Sequence, residues 1–372
     1  MAIANFLLTM TTYMLVPTMP RWLVDTQQMD MVDVGISMGA FGVGLFALGA
    51  FVSYLVQHYR RNKVCIYAVM AEALLIGALY YIDGLHMRVA APMIIIMQRL
   101  ALGAAFGLAQ MVLTSTLIID ISESFQRTEA NHSAAWFSRF ALSIGPMAGL
   151  MIGRHFGFHY VLLAAIICAI TVMVLVMMVN FPFRAPQDDT PTMSLDRFFL
   201  PHGFPLFVNL QLITLAVGII LSVILSEHFY SMMMVGFVAA ILSQRFVFRD
   251  AELKSEVVTG LIVIGAALLM MITRNQPIVM IAAPVFIGMG TGLIGSRFLL
   301  FFIKLSRHCQ RGTSQSTFLL GWESGIAWGV GIGWAVFQGD TTLALVTALV
   351  LVVVSLLMYH FTHRWFTNNK NR

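Results

Sequence analysis

The sequence predicts an all-α membrane protein with twelve transmembrane helices, arranged as two pseudo-symmetric halves of six. Hydrophobic residues make up 59% of the 372 residues and charged residues only 10%, whereas a soluble domain carries about 25% charged residues. The apolar residues fall into twelve stretches, and spans in the second half repeat glycine positions of the first. This composition excludes a soluble globular fold.

Each apolar stretch is long enough to cross a bilayer as a helix, which takes about 17–25 residues. The predicted spans are residues 4–24, 34–56, 64–82, 90–119, 130–153, 158–181, 204–225, 228–247, 256–273, 277–303, 313–337 and 341–363. The longest polar break is a predicted cytoplasmic loop, residues 182–204. It separates an N-terminal six-helix bundle, residues 1–181, from a C-terminal one, residues 205–372.

The positions of Lys and Arg predict the orientation. Most of those outside the spans lie in loops and tails on the same side as both termini, and basic residues concentrate on the cytoplasmic side of membrane proteins. We therefore predict that both termini are cytoplasmic and that the protein is a multi-pass protein of the inner (cytoplasmic) membrane. The net charge of +5 reflects these loops, so no nucleic-acid partner is predicted.

The two halves correspond residue by residue in their glycine-rich spans. One constant shift along the chain maps Gly145 onto Gly329, Gly149 onto Gly333, and Arg139 onto Glu323. In the preceding spans, a shift one residue longer maps Gly103 and Gly107 onto Gly288 and Gly292. Parallel repeats of six spans are a common plan of transporters, whose site lies near the membrane midplane between the repeats.

The fifth predicted span contains Trp136–Gly153, an apolar stretch with Arg139 inside it. An isolated cation in a span is costly and normally faces a partner or a wet cavity. At about 1.5 Å per residue, both Arg139 and Glu323 lie near the midplane. Each points away from the small-residue stripe of its own helix. We predict a substrate or proton site here, with a buried ion pair or an arginine held by backbone carbonyls as alternatives.

Other polar residues inside spans are candidates for the same cavity. Glu72 and Arg99 are candidates for proton coupling together with Glu323 and Arg139. The predicted substrate-binding residues are Arg139, Gln110, Tyr13, Asn209, Gln211, Arg297 and Trp322. For Arg297, extension toward the inner surface is an equal alternative, and the uncharged residues could instead form hydrogen bonds between helices.

Three short motifs, in the first, fourth and fifth spans, resemble those of the major facilitator superfamily, and the resemblance covers the whole chain. Pro17–Pro20 is similar to the PxxP of its first span, Arg99–Gly103 to its RxxxG, and Gly145–Gly149 to the GPxxG of its exporters. The chain looks most like the twelve-span drug/solute:proton antiporters. The resemblance implies a major facilitator fold, alternating access, and a link between the motif arginine and proton coupling.

The resemblance also marks structural and gating residues. These are Pro17, Pro20, Arg61, Gly103, Gly107, Gly145, Pro146 and Gly149. The small-residue stripe of the eleventh span adds Gly325 and Gly329. The chain departs from the family in two places. Gln57 replaces the acid of the family's loop between spans two and three, and the first span lacks the embedded acid of many antiporters. Proton coupling then depends on another acid, with Glu323 first and Glu72 second.

The sequence thus predicts a secondary transporter that exports a small organic solute in exchange for protons. The alternatives are a proton-coupled importer or facilitator of an anionic solute or a sugar, a lipid or lysolipid flippase, and a transport-inactive membrane receptor. The expected partners are the solute, protons and the lipid bilayer, and the expected state is a monomer. No cofactor, metal site or enzymatic activity is predicted.

Overall fold

The computed structural model describes residues 1–122, 127–181, 191–249, 251–274 and 276–370, except for the side chains of residues 127, 128, 131 and 308. Long α-helices dominate these ranges, which contain no β-strand. Helices suit this composition because a helix satisfies its own backbone hydrogen bonds inside a bilayer. Residues 182–190 of the predicted loop 182–204 lie outside the described residues.

Twelve long helical segments follow one another, and each overlaps one predicted span. They are α1 Ala2–Asp25, α2 Met31–His58, α3 Arg61–Gly84, α4 Pro92–Ile121, α5 Arg127–Phe156, α6 Phe158–Met177, α7 Phe204–Val223, α8 Glu227–Phe246, α9 Leu253–Thr273, α10 Pro277–Leu305, α11 Arg311–Ile332 and α12 Thr341–Asn369. In the described part of the chain, eleven are long and apolar enough to cross a membrane. The remaining one, α11, is more polar and mostly buried, so twelve crossings remain a prediction.

Three helices depart from regular α-geometry near residues that the sequence marks as structural. Helix α1 is interrupted at Met14 between two helical pieces. Pro17 has no N–H to bond the carbonyl of Tyr13, which loosens the helix there. Helix α4 contains a π-type turn at Leu113–Leu117, and a second one, Gly333–Phe337, follows α11.

Glycines let pairs of helices approach until their backbones touch, and the same pairing recurs in both halves of the sequence. A Cβ added at Gly149 of α5 would collide with the carbonyl oxygen of Met14 in α1, and one at Gly329 of α11 with that of Leu215 in α7. In the same way α4 packs on α2, and α10 packs on α8. The residues involved are Gly103 against Phe41, Gly107 against Leu45, Gly288 against Met233 and Gly292 against Ala240.

Two helix pairs make the most extensive contacts between the first six helices and the last six. Helix α2 packs against α11 and the π-type turn after it, where Gly35 lies against the backbone of Gly331. Helix α5 packs against α8, and Ser143 Oγ donates a hydrogen bond to the carbonyl of Tyr230. Smaller contacts join α4 to α11 and α5 to α10.

The glycine contacts predict a clear difference between two alanine substitutions. Gly149→Ala overpacks the α1–α5 contact, which costs about 1–3 kcal/mol, so its Tm in detergent should fall. Gly77→Ala is the matched control, because no atom lies within 4 Å of a Cβ added at Gly77 in α3. Its Tm should stay the same or rise slightly, since alanine favours a helix over glycine. Equal Tm values for the two variants would contradict the close α1–α5 packing.

Candidate functional site

The carboxylate of Glu323 lies at the centre of the protein, between helices from both halves. Tyr13 of α1 donates its hydroxyl to Oε2 at 2.7 Å, and Gln110 of α4 donates its amide to Oε1 at 3.2 Å. Glu323 is only 3% exposed. One acid of the second half is thus held by two donors of the first half, three residues that the sequence predicted to be in one cavity.

Small residues position this cluster. Gly145 of α5 lies against Tyr13, where an added Cβ would come within 2.7 Å of the tyrosine Cβ. On α11, Gly325 lies against Thr214 of α7, whose hydroxyl would collide with an added Cβ. The glycine stripes therefore position the two helices that carry Tyr13 and Glu323, α1 against α5 and α11 against α7.

The guanidinium of Arg139 is the second polar group of the central region. Its Cζ lies 4.7 Å from the ring centre of Trp136 and 5.8 Å from that of Trp322. The residue is 1% exposed, and none of its three side-chain nitrogens has a hydrogen-bond partner in the described chain. Gly295 of α10 makes room for it, because a Cβ there would lie 2.7 Å from both Arg139 Nε and the Trp322 ring.

The two indole rings compensate only part of the cost of burying this charge. A desolvated cation–π contact contributes about 2 kcal/mol or somewhat more, whereas the penalty for a buried ion is several kcal/mol. The ion pair and the backbone-carbonyl ligation that were alternatives in the sequence are both absent among the described residues. Arg139 therefore keeps its full set of N–H donors for another acceptor.

Sequence reasoning missed the residues around Arg139 on its own helix. Trp136 lies one turn before it, and His132, two turns before it, shares a hydrogen bond of 2.7 Å with Ser296 Oγ of α10. The spacing of residues 132, 136 and 139 places the three side chains on one face of α5. This helical spacing was the sequence signal that could have identified His132 and Trp136. It indicates the face of α5 that packs against α10 and α11.

Glu72 lies on the other side of α1 from Glu323. The Thr11 hydroxyl donates a hydrogen bond to Glu72 Oε1, while Oε2 has no partner in the described chain. Thr11 and Tyr13 project to nearly opposite faces of α1, because residues two positions apart in a helix differ in direction by about 200°. The two candidate coupling acids thus occupy separate environments, one between α1 and α3 and the other between α1, α4 and α11.

Arg99 of the RxxxG-like motif is separated from the Glu323 cluster by three turns of α4. Its guanidinium lies 4.9 Å from the ring centre of Phe41 in α2, and Nε and Nη1 have no hydrogen-bond partner in the described part. Gln110, further along α4, is on the same face. Arg99 is therefore placed at one end of the face that carries Gln110.

Arg297 neither lies beside Glu323 in the predicted cavity nor extends toward the inner surface, the two alternatives that the sequence offered. It forms an ion pair with the fully buried Glu256 of α9, and Gln244 of α8 donates to the same carboxylate at 3.1 Å. This network lies between α8, α9 and α10 and includes no residue of the Glu323 cluster. The acid at the start of the ninth predicted span was not recognised as its partner.

The remaining polar candidates contact neighbouring helices. Asn209 of α7 donates to the carbonyl of Ser355 in α12 at 3.0 Å, and Gln211 donates to Ser324 Oγ in α11 at 2.8 Å. Neither bonds to Glu323. Gln211 supports α11 one residue after Glu323, whereas Asn209 faces the outer pair α7–α12. Their predicted contact with substrate remains a prediction.

Arg61 has an acidic partner that the loop motif did not predict. It pairs with Asp120 at the end of α4. Gln57, which replaces the motif acid, donates to Ser53 Oγ at 2.9 Å. The ends of α3 and α4 are thus joined by an ion pair although the family's acid is missing from the loop.

A separate cavity of about 780 Å³ lies at the opposite end of α1 from its N-terminus. It is lined by the second piece of α1, the end of α5 and the turn between α7 and α8, including Pro17, Arg21, Asp25, Arg154 and Glu227. Glu323 and Arg139 do not line it. Among the described residues, no group of His, Cys, Asp and Glu side chains is placed to hold a metal ion.

The Arg297–Glu256 pair predicts a stability effect that distinguishes it from a substrate ligand. Arg297→Gln leaves Glu256 buried without its counterion, which costs about 3–5 kcal/mol, so the Tm in detergent should fall strongly. The double variant Arg297→Gln/Glu256→Gln should recover most of the loss, because no charge is then buried alone. An unchanged Tm for Arg297→Gln would contradict a structural ion pair.

Comparisons with known proteins agree with this architecture. The family profile described as Major Facilitator Superfamily matches residues 1–330. Two solved structures of the nucleoside transporter NupG, one of them a mutant form, are similar in fold. The mutant form shares 13% sequence identity with this chain at a TM-score of 0.64, and the match covers 99% of this chain and 98% of that structure. The other form shares 11% identity at a TM-score of 0.65, and the match covers 96% of this chain and 98% of that structure. A search of curated proteins found no match. The chain belongs to the Major Facilitator Superfamily and is a membrane transporter rather than an enzyme.

Proposed function

We propose that the protein exports a small organic solute across the inner membrane in exchange for protons, and that Glu323 carries the proton. The observation that carries this proposal is the buried carboxylate of Glu323, held by Tyr13 and Gln110 from the other half of the sequence. Membrane-embedded acids commonly serve in proton relays. The GPxxG-like stretch Gly145–Gly149 supports the export direction.

The hydrogen bonds supply a mechanism for coupling. Two donors to a carboxylate favour its ionised form, and burial without them favours the neutral acid. When α11 moves away from α1 and α4, Glu323 loses the hydrogen bonds from Tyr13 and Gln110. Its protonated, neutral form is then favoured, so it binds a proton. When the helices close again, the donors return and the proton is released. The protonation of one residue thus follows the rocking of the two halves.

The proposal includes the finer points of architecture. All twelve helices cross the membrane as two six-helix bundles, both termini are cytoplasmic, and the protein works as a monomer. Gln110, Tyr13 and Trp322 contact the solute near Glu323, with Gln211 at the margin. Arg99 and Arg139 tune the proton site or bind the solute, and Glu72 is the second candidate acid.

A second candidate function is proton-coupled uptake of an anionic solute. The observation that favours it is Arg139, a buried cation whose nitrogens have no hydrogen-bond partner in the described chain. Proton movement in the same direction as the solute, rather than the opposite one, would distinguish uptake from export.

The proton role of Glu323 can be tested without knowing the solute. Proteoliposomes that enclose a pH-sensitive dye report proton movement when members of a solute library are added. The wild type should move protons with at least one class of solute. Glu323→Gln should abolish this response while keeping the wild-type Tm within a few degrees, because glutamine keeps the shape and can still accept a hydrogen bond from Tyr13.

Glu72→Gln is the matched control. It is also a buried acid in a span, and it bonds a threonine of α1. This variant should keep solute-induced proton movement. Unaltered proton movement in Glu323→Gln would overturn the assignment, and loss in Glu72→Gln alone would transfer the role to Glu72.

A further inference from the structure

We propose that the guanidinium of Arg139, held beside Trp136 and Trp322, binds the oxyanion group of the transported solute, so that the solute is an organic anion with a carboxylate or phosphate group. This inference rests on the proposed function in one respect, the passage of a solute through the centre of the protein. It names the class of that solute and the residue that recognises its charge.

The first step is that the described residues supply no counterion to Arg139. The three buried acids of the described chain are engaged elsewhere. Glu323 bonds to Tyr13 and Gln110, Glu256 pairs with Arg297, and Glu72 bonds to Thr11. Arg139 forms no ion pair with any described residue. Among the described residues the charge of Arg139 has no counterion, so its guanidinium is open to a bound anion.

The second step is the chemistry that the site selects. An arginine has five N–H donors in one plane and no acceptor. The indole rings of Trp136 and Trp322 attract its charge but offer no oxygen, so all five donors remain for a ligand. Carboxylate and phosphate groups match the planar fork by accepting two parallel hydrogen bonds. A neutral amide or hydroxyl group would leave most of the charge uncompensated.

The third step is a second unsatisfied group on α11. Gln315 is fully buried, and neither its amide nitrogen nor its amide oxygen has a partner among the described residues. It precedes Trp322 by seven residues, which places it two turns away on the same face of the helix. The amide offers a donor and an acceptor to a second polar group of the same solute, about 10 Å along the helix axis from Trp322.

The fourth step is charge balance. A solute anion on Arg139 and a proton on Glu323 leave the occupied centre without net charge from these three partners. Moving charge through the low-dielectric part of a membrane is costly, so this neutral form is suited to change conformation with both bound. That balance favours the second candidate function, in which the proton and the anion move in the same direction. The separation of cation and acid into two sites lets the anion and the proton bind independently.

Thermal unfolding of the purified protein in detergent tests the inference with benzoate and phenyl phosphate as anions and benzamide as the neutral counterpart of benzoate. At millimolar concentration at least one anion should raise the Tm of the wild type, as binding to the folded state requires. Benzamide should leave it unchanged. A shift with one anion alone identifies the carboxylate or the phosphate as the recognised group.

Two variants connect the shift to Arg139. Arg139→Gln should abolish the effect of the anion, and its ligand-free Tm should equal or exceed that of the wild type, because an uncompensated buried charge is removed. Arg139→Lys should bind the anion about tenfold more weakly, since lysine keeps the charge but loses the pair of planar donors. Arg297→Gln is the matched control for removing a paired arginine, and its ligand-free Tm should fall.

Three results would overturn the inference: an equal shift with benzamide and benzoate, an anion effect that persists in Arg139→Gln, or no shift with either anion. A large loss of ligand-free Tm in both Arg139 variants would also overturn it, because it would identify a structural arginine. These measurements use no pH gradient. They therefore stand even if Glu323→Gln shows that the proposed proton role is wrong.

A second inference comes from a different part of the chain, the segment Ser194–Leu200 that precedes α7. We infer that this segment is a latch that ties α2 and α4 to α11 and detaches when that side of the transporter opens. On the first half, Asp196 accepts from Ser53 at 3.2 Å and Arg197 Nη1 donates to Thr116 at 3.0 Å. The ring of Phe198 fills the space left by Gly49 of α2.

The same segment binds α11 through two threonines. Thr313 Oγ1 donates to Asp196 at 3.0 Å and accepts from the backbone N–H of Arg197 at 2.8 Å. The N–H of Leu200 donates to Thr317 Oγ1 at 2.8 Å. Beneath these bonds, Gly312 of α11 lies against the carbonyl of Ser115 in the π-type turn of α4. Separation of α4 from α11 must break the bonds on one side of the segment.

Reactivity of a reporter cysteine tests the latch. Ser115→Cys places a thiol at the α4–α11 contact, where the native residue is 4% exposed, and its rate of labelling by a soluble maleimide measures opening. Asp196→Ala removes two of the bonds and should raise that rate about tenfold, as expected for two hydrogen bonds of ordinary net strength. Met193→Ala changes an exposed neighbour of the segment and should have no effect. Equal rates in Asp196→Ala and Met193→Ala would overturn the latch.

Discussion

The hydrogen bonds to Glu323 set the central geometry, and backbone packing determines whether they form. The acid lies on α11 and its donors lie on α1 and α4, so three helices must keep their relative positions to within a few tenths of an ångström. Gly145 places α5 against Tyr13, and Gly325 places α11 against α7. A side chain at either glycine would move a donor or the acceptor. The small residues therefore act on the polar site through the backbone.

The sequence predicted the parts of the fold that depend on local pattern. Apolar length predicted every helix, since a bilayer requires backbone bonds within the segment. The shifted glycines predicted equivalent close contacts, because only residues without a side chain let two backbones touch, and the contacts of Gly149 and Gly329 are of that kind. The interruption of α1 follows from Pro17. Each of these features depends on only a few neighbouring residues in the sequence.

The partners of the charged side chains were not predictable in the same way. Arg297 and Glu256 are on different helices, as are Arg61 and Asp120, and their pairing depends on how each helix is rotated about its axis. An error of one residue in that rotation turns a side chain by about 100°. The sequence brought Tyr13, Gln110 and Glu323 into one cavity, but it also placed Arg297 there. Tyr13, Gln110 and Glu323 do meet, whereas Arg297 faces Glu256 instead.

Arg139 and Glu323 occupy equivalent positions of the repeat, yet they do not pair. Equivalent positions in two halves face the same centre from different sides, so the repeat predicts shared surroundings rather than contact. Trp322, beside Glu323 in the chain, takes the position next to Arg139 instead. An ion pair between the two residues would stabilise the fold and leave neither charge free for a ligand or a proton. Buried charged groups that stay unpaired at a cost in stability are typical of sites retained for function. The two indole rings partly offset this cost and leave the N–H donors of Arg139 without hydrogen bonds.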